Sequence, residues 1–108
     1  SMGENCYVIR ADGHGVPEIL DAILQVFPLD TYCDKPVSLM QVVPGDPVET
    51  PIWDEYKAIV AKYDKRGAEC FENIERFAFY EDAKKAYCII ATSEKALYAN
   101  ITLQKGVV

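Results

Sequence analysis

The alternation of two kinds of segment constrains this chain more than any other feature. Short apolar runs of strand length are separated by stretches whose apolar residues recur every three or four positions. Tyr7 to Arg10 reads as a strand ended by the turn Ala11-Asp12-Gly13-His14-Gly15, where glycine permits backbone angles that other residues avoid. A helix follows, with Pro17 in its first turn and Glu18 beside the positive end of its dipole. Ile19, Leu20, Ile23, Leu24 and Phe27 form its apolar face, Pro28 stops it, and Leu29-Asp30-Thr31-Tyr32 is a loop. Val37 to Val43 is a strand-length run broken by Pro44-Gly45-Asp46-Pro47. A second helix covers Ile52 to Tyr63, turning Trp53, Tyr56, Ile59, Val60 and Tyr63 toward the core, and a polar loop follows from Asp64 to Glu69. Phe71 to Phe77 holds a short strand, and Phe79 to Ala86 a short helix with Glu81, Asp82, Lys84 and Lys85 outward. Tyr87 to Thr92 is the best candidate for a buried strand, and Asn100 to Gln104 is the last one. Strands alternating with helices predict an α/β layered domain, with the strand order left open.

A chain of 108 residues makes one domain, spanning 1–108, with one modest core. Its net charge is -6 and its 11 basic residues are scattered, whereas a surface that follows phosphates needs a basic stripe. Nucleic acid is therefore not an expected partner. No uncharged apolar run approaches the ~18 residues of a membrane span, so no membrane is expected either. Cys6, Cys33, Cys70 and Cys88 form no C-x-x-C pair, and His14 is the sole histidine, which does not suit a structural zinc site. Disulfides are allowed by the count, but evenly spread cysteines in a half-hydrophobic chain fit reduced thiols in the cytoplasm better.

The chain has no nucleophile elbow, Walker loop or dinucleotide fingerprint. What remains are polar and aromatic residues at the ends of apolar runs: Arg10 and Asp12, Asp30 and Tyr32, Arg76 and Tyr80, Tyr98 and Asn100. Loops at strand ends commonly form sites in α/β domains. A sugar pocket needs this mixture, with carboxylates and amides for hydroxyls and tyrosines offering an apolar face with a polar tip.

The wording of these segments resembles the L-fucose mutarotase family. V-I-R-A-D-G from Val8, L-D-T-Y from Leu29, I-E-R-F-A-F-Y-E from Ile74, L-Y-A-N-I from Leu97 and L-Q-K-G-V from Leu103 stand in the family's order along essentially the whole chain. The resemblance implies interconversion of the α and β anomers of L-fucose without a metal or other cofactor, because general acid–base groups suffice. It implies a layered sandwich with a mixed sheet flanked by helices, lacking the family's first strand and helix, and a homo-oligomer. It also implies sugar contacts from Asp30, Tyr80, Tyr98 and Asn100, with Arg76 and Asp12 as further candidates and Arg10 as architecture. Tyr98 is the candidate proton carrier, and a phenol is a better acid than base near neutrality. Family members carry a segment before V-I-R-A-D-G that holds their catalytic histidine in an M-G-H-G-D-E type motif. Nothing here matches that motif, and His14 falls elsewhere. A fragment or short form beginning Ser1-Met2-Gly3-Glu4 would leave a sheet edge unpaired and apolar faces uncovered. A ribose-type pyranase and a non-catalytic sugar-binding or assembly form are the alternatives, and R-F-A-F-Y favours fucose over ribose.

Overall fold

The computed structural model describes residues 7–107, so Cys6 and the Ser1 to Glu4 start lie outside the described residues. Five strands and three helices follow in the order β1 (Tyr7–Ala11), α1 (Val16–Val26), β2 (Val37–Met40), α2 (Pro51–Tyr63), β3 (Phe71–Ile74), α3 (Arg76–Lys84), β4 (Cys88–Thr92) and β5 (Ile101–Leu103). The strands form two sheets. One is the parallel pair β1–β4, and the other is mixed, with β2 parallel to β3 on one side and antiparallel to β5 on the other.

The helix starts follow from local chemistry. At α1 the Glu18 carboxylate accepts the Gly15 N–H at 3.1 Å, and Glu94 from beyond β4 accepts the Val16 N–H at 2.9 Å. Those N–H groups would otherwise lack partners in the helix. A Cβ at position 15 would lie 2.9 Å from the Glu94 oxygen, so a larger residue there would have to displace that carboxylate from the Val16 N–H. Helix α2 starts at Pro51, one residue before the predicted Ile52, because proline suits the first helical position.

Leu20 and Leu24 of α1, Ile52, Tyr56 and Val60 of α2, and Val37 and Leu39 of β2 form one buried core with Phe71, Cys70, Leu29 and Ala99. Val37 and Leu39 share a face because side chains alternate along a strand. Met40 points the other way and is also buried, and α3 packs against β2 with Phe79 buried. Helices therefore flank the mixed sheet, as the resemblance implies.

Several boundaries differ from the sequence reading. The strand expected from Val37 to Val43 ends at Met40, ahead of a turn at Pro44-Gly45. The strand expected to Phe77 ends at Ile74, and α3 begins at Arg76 instead of Phe79, because the Glu75 side chain caps it by accepting the Ala78 N–H at 3.1 Å. The loop from Asp64 to Glu69 ends in a 3-10 turn, Gly67–Cys70. The last strand is shorter, Ile101–Leu103. Tyr63 is 41% exposed instead of facing the core, since its hydroxyl reaches Asp21 at the protein surface. The largest difference is β4, expected to be the most buried strand. Among the described residues it pairs with β1 alone and is half-buried at best, and the fully buried strand residues belong to β2 instead. Tyr7, Val8, Ile9 and Tyr87 are more than half exposed on this pair, and the Tyr7 and Tyr87 rings lie 5.3 Å apart.

Candidate functional site

The carboxyl ends of β2 and β3 meet the start of antiparallel β5 at one end of the mixed sheet. Ligand sites in α/β proteins favour such strand ends. Residues 41–46 leave β2 there, Glu75 and α3 leave β3, and residues 98–100 lead into β5.

Tyr98 has φ 55, the one positive φ of a non-glycine residue among the described residues. Such a conformation costs about 1–3 kcal/mol and persists only where the surroundings enforce it. Two aromatics of α2 supply that enforcement: the Trp53 indole donates to the Tyr98 carbonyl at 2.8 Å, and the Tyr56 hydroxyl donates to the Ala99 carbonyl at 2.7 Å. Burial pushes the Tyr56 phenol up, with the charges of Glu94 and Glu55 adding to it, so it remains a neutral donor. The side chain of Tyr98 is fixed separately. Val43-Pro44-Gly45-Asp46 closes a β-turn, with the Asp46 N–H donating to the Val43 carbonyl at 3.0 Å and Gly45 at φ 88. Proline and glycine at the two central positions are what a type II turn requires. The turn brings the Val43 N–H to 3.2 Å from the Tyr98 hydroxyl oxygen, and the hydroxyl donates to Asp46 Oδ2 at 3.0 Å. The other Asp46 oxygen accepts the Val48 N–H at 3.1 Å.

Arg76 opens α3 with its guanidinium 4.8 Å from the Phe77 ring, and Tyr80 lies one turn further along. Both are exposed, as is Asn100 beside the start of β5. Ile74 and Ile101 lie at neighbouring positions across β2, about two strand spacings or ~10 Å apart, so the segments that carry these residues and Tyr98 leave or enter the same sheet end. Glu75 is held below the usual carboxylate range by the N–H groups of Phe77 and Ala78.

Asp30 lies at the opposite end of β5. Its backbone N–H donates to the Gln104 carbonyl at 2.9 Å, one carboxylate oxygen accepts the Tyr32 N–H at 2.9 Å, and the other accepts Gln104 Nε2 at 2.9 Å. Four residues at about 3.3 Å each put Gln104 roughly 13 Å along the strand from Asn100. Asp12 is separate again. It pairs with Arg10 at 2.7 Å, and both side chains are more than half exposed, where an ion pair adds little stability. The His14 ring meets Glu18 at 3.0 Å on the surface. The segments bearing Arg76, Tyr80, Tyr98 and Asn100 thus adjoin one end of the mixed sheet, Asp30 lies at the other end, and Asp12 follows β1.

Asp46 is not among the candidates that the sequence offers, and Trp53 and Tyr56 have only core roles there. The Pro-Gly-Asp after an apolar run was the available signal, since it places an acid just beyond a tight turn. Arg66 is likewise absent from those candidates, yet it chelates the Asp64 carboxylate and donates to the carbonyls of Asp30 and Cys33 at 3.0 Å. That holds the Asp30 loop to the end of α2 and keeps Asp64 below the usual carboxylate range. Cys33, Cys70 and Cys88 are free thiols, and burial pushes the Cys70 thiol up.

Two open grooves lie nearby. One of about 390 Å³ is formed by Val48, Glu49, Thr50, Pro51, Trp53, Asp54 and Lys57, and shares Trp53 with the Tyr98 turn. Another of about 250 Å³ lies between the ends of α1 and α2. Neither is lined by Tyr98, Asn100, Tyr80 or Asp30. Among the described residues no group of three or more His, Cys, Asp or Glu side chains could hold a metal ion, and no helix is long and apolar enough to cross a membrane.

Comparison with known proteins supplies the context for this arrangement. The human fucose mutarotase is 49% identical over 105 residues, covering 92% of this chain and 65% of its own. The chain therefore spans slightly under two thirds of that relative's length. The crystal structure of FucU from Bifidobacterium longum superposes with a TM-score of 0.96 at 62% identity, over 99% of this chain and 75% of that one. The fucose mutarotase of Streptococcus pneumoniae, crystallised in complex with L-fucose, gives a TM-score of 0.85 at 44% identity, over 94% of this chain and 71% of that one. Residues 2–108 match the family profile, and the chain belongs to the RbsD / FucU transport protein family.

Proposed function

We propose that this protein interconverts the α and β anomers of L-fucose. The observation that carries this reading is the 44% identity, over almost the whole chain, to the S. pneumoniae protein whose structure contains L-fucose. Mutarotation removes a proton from the anomeric hydroxyl, delivers one to the ring oxygen and then reverses both steps, which acid–base groups can perform. Tyr98 carries the proton at the sheet end, while Asn100, Arg76 and Tyr80 orient the sugar. Tyr80 adds an apolar face with a polar tip, as sugar rings favour. An ionised carboxylate has about four acceptor positions, so Asp30 retains capacity for sugar hydroxyls beyond its two internal bonds. Its distance from Tyr98 suits a site shared between subunits of a homo-oligomer, and Asp12 contributes from the β1 turn. The setting is cytoplasmic.

Saturation-transfer NMR tests this directly. Faster exchange between L-fucose anomers than in buffer, exceeding any effect on D-ribose, is the expected result. Faster exchange of ribose alone would favour a pyranase. Fucose binding with an unchanged exchange rate would mean a non-catalytic sugar-binding protein.

A further inference from the structure

We propose that Asp46 is a positioning residue that sets the direction of hydrogen bonding at Tyr98, making the phenol a proton acceptor toward the sugar. This rests on the mutarotase reading. The sequence alone suggests the opposite polarity, since a free phenol near neutrality is an acid.

A tyrosine hydroxyl has one proton to donate and lone pairs that accept. The one proton of Tyr98 is committed to Asp46 Oδ2 at 3.0 Å, and one lone pair already accepts the Val43 N–H at 3.2 Å. What remains is acceptor capacity, so the group that meets Tyr98 must be a donor. On a pyranose the hydroxyls donate and the ring oxygen does not. Tyr98 therefore faces a hydroxyl, and in the mutarotase reading, where it carries the proton, that hydroxyl is the anomeric one. Asp46 can hold this polarity because its other oxygen is anchored by the Val48 N–H at 3.1 Å, and the Pro44-Gly45 turn fixes its backbone. The Tyr98 backbone is fixed independently by Trp53. Both partners are thus held before any ligand arrives, which is the condition under which a catalytic hydrogen bond needs no reorganisation.

On ring opening the anomeric proton passes to the Tyr98 oxygen as the phenol's own proton passes to Asp46. The bond from C1 to the ring oxygen breaks, its electron pair stays on that oxygen, and C1–O1 becomes a carbonyl. A water molecule gives the ring oxygen a proton. Ring closure on the other face returns that proton to the hydroxide left behind, and the Asp46 proton goes back through Tyr98 to O1.

Asp46→Asn is the informative variant. It keeps the acceptor for Val48 and can present an N–H donor to Tyr98, which turns the phenol's proton outward. Asp46→Ser is measured beside it, because serine also supports turns of this kind and removes the carboxylate. Both are expected to lower kcat for L-fucose anomer exchange at least about tenfold, with KM changing by less. In a Tyr98→Phe background the same changes should have no further effect, since the pathway they act through is gone. Circular dichroism checks that each variant is folded. An active wild type whose kcat survives both substitutions, or loses as much in the Tyr98→Phe background, would overturn the role of Asp46 and leave the mutarotase reading standing. A wild type that neither binds L-fucose nor speeds its exchange overturns both.

Discussion

At the scale of single residues, the turn leading into β5 depends on two donors from α2. The Tyr56 hydroxyl is fully buried and satisfies the Ala99 carbonyl. Tyr56→Phe keeps the ring and its packing but leaves a buried carbonyl without that partner, a loss of about 1–3 kcal/mol. Urea unfolding is expected to show a lower midpoint at unchanged slope. The same variant is expected to slow fucose exchange, since Ala99 adjoins Tyr98. This residue shows where sequence reading stops. The 3.6-residue period of α2 places Tyr56 toward the core without an alignment or a structure. It cannot say which carbonyl, 43 positions away, the hydroxyl will find. The places of Arg76, Tyr80, Tyr98 and Asn100 at strand and helix ends were legible because apolar runs and periodicity mark those ends. Asp46 was not, because its meaning depends on a turn closing over a tyrosine 52 positions later.

At the scale of elements, α1 and α2 are held together by core leucines and by a polar clasp, in which Asp21 takes bonds from Lys62, Tyr63 and Gln25. The Lys62 ammonium and the Tyr63 hydroxyl, in that order of effect, bring the Asp21 carboxyl down to about 2. An aspartate in an unfolded chain titrates near ~3.9, so the clasp contributes its full stability above that value and loses it as pH falls toward about 2. Asp64, Glu75 and Glu94 are shifted the same way and add to the loss in acid. Asp21→Asn is expected to lower the urea midpoint at pH 7 and to reduce the fall in stability between about pH 4 and 2. Equal acid sensitivity in variant and wild type would remove Asp21 from this account. The elements themselves were mostly legible from periodicity, and their ends were not. Glu75 is an uncommon helix cap, so nothing local announced that the strand would stop at Ile74.

At the scale of the whole molecule, burial was the least legible property. The run Tyr87 to Thr92 is as apolar as β2, yet it lies in a two-stranded pair whose partner exposes Tyr7, Val8 and Ile9. A strand's composition reports what could be buried, whereas coverage by neighbours decides what is. Exposed apolar surface of this kind marks interfaces in other proteins. Sedimentation velocity on the wild type is expected to give a species larger than one chain, and Ile9→Lys should shift the distribution toward single chains. A wild type that sediments as a single chain at every concentration would count against the homo-oligomer. One more consequence follows from the bond between the Trp53 indole and the Tyr98 carbonyl. Trp53 is the chain's single tryptophan. Its fluorescence is therefore an intrinsic probe seated on the candidate proton carrier, and a ligand that displaces this turn will alter the emission spectrum without any added label.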